Sequence, residues 1–119
     1  MPHTISSEMR DCIQQCLNCH SICLEATTRC LEQGDKHANP EHIAILLDCS
    51  QICATSADFM LRGSESYIET CGVCATNCER CAESCGRVGR DEMMTRCAEA
   101  CRQCAGSCRG MARQTSKAA

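Results

Sequence analysis

Sixteen of the 119 residues are cysteine, and their order along the chain is regular. Cys12, Cys16, Cys19, Cys23 and Cys30 follow one another at gaps of four, three, four and seven, and Cys49 and Cys53 are four apart. Cys71, Cys74, Cys78, Cys81 and Cys85 run at three, four, three and four, and Cys97, Cys101, Cys104 and Cys108 at four, three and four. Alternating steps of three and four mark the a and d positions of a heptad, the narrow stripe that faces the axis of a helical bundle. Residues three or four apart on a helix have Cβ atoms about 5–6 Å apart, so each adjacent pair can bring two sulfurs to one ion. Thiolate is a soft donor that favours copper(I), zinc and iron–sulfur clusters. Structural zinc wants a closed tetrahedron, whereas copper(I) accepts two or three sulfurs, so a continuous ladder suits copper(I) better than separate four-ligand sites. Burial as small hydrophobes accounts for one or two cysteines, not for sixteen.

Such a ladder needs helices, and the chain carries the punctuation for four. The first is expected from about 7 to 33, ended by Gly34 as a left-handed stop. A polar linker runs to Asn39, where Asn39-Pro40-Glu41 supplies a cap, a first-turn proline and an acid for a second helix, 40 to 62, closed by Gly63. Ser66-Tyr67-Ile68-Glu69 reads as the capping box of a third helix, 65 to 88, and Asp91 as the cap of a fourth, 91 to 112. The tail from Gln114 to Ala119 is expected to fray. Connections this short make neighbouring helices antiparallel. The expected fold is therefore all-α, an up-down-up-down four-helix bundle with a cysteine-lined core, formed by residues 1–119 as a single domain.

Composition narrows the function classes. Large aliphatic and aromatic residues are scarce, so cysteine must supply much of the interior. The formal net charge is −3 and the signs are interleaved, which leaves no basic stripe for nucleic acid. Met1 to Ser7 lacks the features of an export signal and no later segment reads as a membrane span, so a cytoplasmic protein with no membrane partner is expected. That compartment keeps thiols reduced and points to metal or redox chemistry, away from a disulfide scaffold.

From about residue 7 to 112 the chain resembles the bacterial copper storage proteins, and among them the cytosolic branch that lacks an export signal. The likeness is carried by Cys12-x3-Cys16-x2-Cys19-x3-Cys23, by Asp48-Cys49-x3-Cys53, by the third-helix ladder, and by Cys97-Ala98-Glu99-Ala100-Cys101-Arg102-Gln103-Cys104. It implies reversible storage of many copper(I) ions, no catalysis, and assembly into tetramers. Relatives of this kind often carry further cysteines near the starts of helices two and four and histidines at the bundle mouth. Here the extrapolated seam positions are His42, seven before Cys49, and Met94, three before Cys97, and the loop from Gly86 to Arg90 has no histidine. Both substitutes remain copper(I) ligands.

The topology places Cys30, His42, Cys85 and Met94 at one end, expected as the metal entrance, with His37 and Met93 close enough in sequence to help. Met9, Met60, Tyr67 and Met111 fall at the other, expected as an apolar plug because a methionine on a seam is usually core filler. His37 otherwise reads as linker, His3 lies in a loose terminus, and His20 sits one step off the seam. Copper(I) is expected from a chaperone or a small thiol carrier, moving inwards by ligand exchange between thiolates.

Rival readings are weaker. Cys16-Leu17-Asn18-Cys19-His20 matches covalent haem attachment, which requires export. Cys71-x2-Cys74, Cys78-x2-Cys81 and Cys101-x2-Cys104 resemble redox pairs, yet they recur in mid-helix with no sheet beside them. A ferritin-like di-iron site needs inward carboxylates that the seam lacks. A zinc or general soft-metal buffer remains the alternative, since thiolates alone do not exclude zinc.

Overall fold

Ser6 opens the first helix, α1 (Ser7–Gln33), with an extended backbone and a side-chain oxygen that accepts from the Met9 amide at 3.1 Å. The computed structural model describes residues 4–114; His3 and the tail beyond Gln114 lie outside them. α1 stops at Gly34, whose φ of 78° and ψ of −168° lie in a region reserved for glycine but are not the left-handed helical values expected. The linker is itself a short 3-10 helix, Asp35–Ala38. Asn39 then accepts from the Glu41 amide at 2.9 Å, Pro40 takes the first turn, and α2 spans Pro40–Arg62. It closes in a Schellman motif: Gly63 is left-handed (φ 73°, ψ 25°), its N–H donates to the Met60 carbonyl, and the Ser64 N–H donates to that of Phe59.

The capping box expected for the third helix does not form. α3 spans Tyr67–Val88, but Ser66 already has a helical backbone and its side chain caps nothing. The tight exit from α2 turns the chain so quickly that Ser64 does this job: its carbonyl accepts from the Tyr67 amide at 3.2 Å and its Oγ from the Ser66 amide at 3.2 Å. α4 (Glu92–Ala112) begins as expected, with Asp91 accepting from the Met94 amide at 3.3 Å.

Each helix packs against its sequence neighbours, and α4 returns beside α1 to close an up-down-up-down bundle 52 × 20 × 20 Å in extent. Among the described residues only Ile13, Leu46 and Val88 supply buried branched aliphatic side chains; the other buried apolar residues are methionine, alanine and cysteine. All sixteen cysteines are free thiols and none is more than 1% exposed. Register between α1 and α2 is fixed by a reciprocal pair. The Ser50 hydroxyl donates to the His20 carbonyl at 3.0 Å, and His20 Nδ1 lies 2.9 Å from both Ser50 oxygens. α2, contrary to expectation, is long and apolar enough by composition to cross a membrane, but its buried face carries His42, Leu46, Cys49, Cys53 and Met60 into the bundle.

Candidate metal centre

The heptad seams converge as the spacing requires. Within the bundle, sets of sulfurs approach one another to within 4.8 Å: Cys16, Cys74, Cys104 and Cys108; Cys19, Cys53, Cys78 and Cys104; Cys19, Cys23, Cys49 and Cys101; Cys23, Cys81, Cys97 and Cys101; and Cys12, Cys71 and Cys108. The second set draws one sulfur from each helix. Nearest sulfurs are 3.6 to 4.0 Å apart, as in Cys53 to Cys74 at 3.6 Å and Cys23 to Cys81 at 4.0 Å. The sets overlap. Cys108 joins the first and last named, Cys104 the first and second, Cys19 the second and third, and Cys23 with Cys101 the third and fourth. An ion bound anywhere along this path has a thiolate in common with the neighbouring position.

Cys30 and Cys85 lie outside these sets, at the end that also holds His42 and Met94. Cys85 adjoins Cys81 and Cys97, whose hydrogen bonds push its thiol pKa up. Cys30 Sγ lies 3.6 Å from His42 Nε2 and 3.9 Å from Met94 Sδ, so the three side chains form a mixed nitrogen, thiol and thioether group. His42 is buried and not the exposed first-turn residue its position would otherwise give. Burial lowers its pKa, which favours the neutral ring. Its Nδ1 is 2.7 Å from the Ser84 hydroxyl; a proton held there leaves the Nε2 lone pair directed at Cys30, the usual way a partner selects a ligand tautomer. A cleft of about 230 Å³ lined by Lys36, Asn39, Glu41, His42, Ser84, Arg87 and Val88 reaches His42 from solvent.

His37 is neither loose linker nor part of that group. It is 7% exposed, and its Nε2 lies 2.8 Å from Asp91 Oδ1, which ties the linker after α1 to the loop before α4 and lowers the Asp91 pKa. Gly89 permits the approach, since a Cβ there would stand 2.7 Å from Asp91 Oδ1 and 3.4 Å from His37 Nε2. Met93 lines a separate surface cleft with Arg29, Glu32 and Arg96. At the opposite end Met9, Met60 and Met111 are buried, as a plug would be, and Tyr67 donates to Gln114 at 3.3 Å. Met60 Sδ, however, is 3.9 Å from Cys71 Sγ. Neither Ser84 nor the His37–Asp91 tie carries a sequence signal; Met60, seven after Cys53, does.

The packed thiols shift one another. Cys19 is lowered, first by its hydrogen bond with Cys101, while Cys101 is raised, first by Cys19. A thiolate surrounded by S–H donors is stabilised at the cost of its donors' acidity. Cys30 is pushed up to about 11, by burial first and then by the negative charge of Asp91. An unfolded chain releases that proton near the ordinary value of 9.0, so between the two values the native state holds more protons and stability falls as pH rises. Lowered thiols add no slope above the ordinary value. The denaturation midpoint of the reduced, metal-free protein should therefore be lower at pH 11 than at pH 9, with a shallower decline in Cys30→Ser. An unchanged midpoint over that range would contradict the burial of these thiols.

The family model for copper storage proteins matches residues 5–113. The Nmul_A1745 protein from Nitrosospira multiformis superposes with a TM-score of 0.84 at 41% identity, over 89% of this chain and 95% of that one. The Cu(I)-bound copper storage protein BsCsp3 gives 0.83 at 34%, over 89% and 99%. A cytosolic copper storage protein from Streptomyces lividans, in a structure described as copper loading with five coppers, gives 0.77 at 28%, over 89% and 92%. With its sulfurs gathered along the axis of such a bundle, this chain belongs to the copper storage protein family.

Proposed function

We propose that this chain is a cytosolic, non-catalytic store that holds many copper(I) ions on its sixteen cysteines, with His42 and Met94 as further ligands beside Cys30. The observation that carries the reading is the sharing of sulfurs between successive sets. Bridging thiolates suit copper(I), which is satisfied by two or three donors, and ligand exchange along shared sulfurs gives a route from the His42 end inwards. Each ion displaces thiol protons as it binds. A small thiol carrier or a chaperone would deliver it at the cleft above His42. The bundle acts as one domain.

The same geometry limits the zinc alternative. Because the four-sulfur sets overlap in sequence along the axis, at most two can be filled together as closed tetrahedra without a bridging sulfur. Anaerobic titration of the reduced protein against a competing chromogenic chelator tests this directly. Storage predicts on the order of ten or more copper(I) ions withheld per chain, against about two zinc ions. A copper count equal to the zinc count would overturn it.

The outer surface supports assembly. Leu17, Leu24 and Leu31 recur every seven residues on α1 at 39%, 45% and 56% exposure, and Leu47 and Leu61 on α2 are 45% and 47% exposed. The His20–Ser50 pair lies three residues after Leu17 and after Leu47, and sets Leu24 nearly opposite Leu47 on antiparallel helices. The leucines therefore form one apolar seam outside the α1–α2 junction, a surface that a second copy of the chain would cover, with the tetramer as its closed form. Leu24→Glu combined with Leu47→Glu should convert the oligomer to monomer in light scattering while leaving copper per chain unchanged. A wild-type chain that is monomeric at high concentration would refute the assembly.

A further inference from the structure

We infer that the end of the bundle opposite His42 is a copper(I) site in its own right, in which the Met60 thioether joins the thiolates of Cys12, Cys71 and Cys108. This rests on the storage reading and extends it to a residue that its place on the seam presents as filler.

Each interior position gathers four sulfurs, whereas the terminal set has three, because the ladder ends there and no further layer of cysteine follows. Met60 supplies a fourth, as each interior position has. Its Sδ is 3.9 Å from Cys71 Sγ, within the range of separations found between thiols inside the ladder, and the side chain is fully buried. Cys12 and Cys108 close the group at 3.7 Å from one another. The opposite end repeats the arrangement, with Cys30 3.9 Å from the thioether of Met94. Both ends of the thiol column are thus finished by a neutral soft donor.

Charge explains the choice. A terminal thiolate in place of the thioether would add a buried negative charge with fewer copper(I) ions around it to offset that charge. A thioether donates without a proton to lose. Ser56, one helical turn before Met60 on α2, fits the same picture: among the described residues its buried hydroxyl is the side-chain polar atom left without a hydrogen-bond partner. Metal binding turns neutral thiols at this end of the column into thiolates, which are strong acceptors for such a donor.

The test uses the full-length reduced protein labelled with methyl-¹³C methionine, with the Met60 resonance assigned from Met60→Leu. That substitution nearly preserves apolar volume, so the fold is retained. On titration with copper(I), the Met60 methyl resonance should shift and reach its limit by full loading, and Met60→Leu, which keeps the three thiolates, should give up the ion at this end to the competing chelator more readily than wild type. A full complement of copper with an unmoved Met60 resonance and unchanged competition with the chelator in Met60→Leu would remove this site while leaving storage intact. A wild-type count of only a few ions would remove both.

Discussion

Replacing Cys101 by serine should lower the copper(I) withheld from a competing chelator by about two ions per chain, whereas replacing Cys78 should lower it by about one. Cys101 belongs to two overlapping sulfur sets and Cys78 to one. Cys101 also lies 3.6 Å from Cys19 and 3.9 Å from Cys49, so its loss removes a bridge between positions as well as a ligand. Serine is close in size but is a hard donor that does not hold copper(I). Neither variant should lose all metal, because the sets on either side keep their sulfurs. If Cys78→Ser alone abolished binding, the protein would hold a single cluster. If Cys101→Ser and Cys78→Ser behaved identically, shared sulfurs would have no part in capacity.

The features legible in the sequence are those fixed by local periodicity and capping chemistry. Steps of three and four put every cysteine on an inward face, and all sixteen are buried. Asp91, Asn39, Pro40 and Gly63 each act within a few residues of themselves, which is why their roles can be read directly. The capping box at Ser66 failed because a motif read in isolation ignores how the previous helix ends; the Schellman turn at Gly63 delivers Ser66 already helical. His37 illustrates a different limit. Its partner, Asp91, is fifty-four positions away, and only closure of the bundle brings the two loops together. Extending the seam identifies His42 and Met94, but the Ser84 hydroxyl that orients His42 comes from α3 with nothing local to announce it. Methionine at position 60 is ambiguous in sequence, since the same side chain fills cores and binds soft metals, and only its distance to a thiol distinguishes the two.

Copper(I) loading should raise the unfolding temperature of the reduced protein by several tens of degrees, in increments that follow the number of ions bound. The metal-free interior is poor in cohesive packing: three buried branched aliphatic side chains, many alanines, and thiols that touch one another through weak S–H contacts at 3.6 to 4.0 Å. Binding one ion to the native state alone stabilises by about 4 kcal/mol when free ligand is a thousandfold above its dissociation constant. For domains of this size each kcal/mol moves the midpoint by roughly 2–8 °C. The unfolded chain competes, because local pairs such as Cys12 with Cys16 chelate without the fold, and this reduces the gain. It does not cancel it. The set of Cys19, Cys53, Cys78 and Cys104 takes one sulfur from each helix, and an unfolded chain must close three long loops to reproduce it. Calorimetry at increasing copper(I) per chain measures the effect. A midpoint that stayed at the metal-free value up to full loading would mean that the ions sit on local pairs and never join the helices, whereas a stepwise rise identifies the metal as the core that the sequence leaves out.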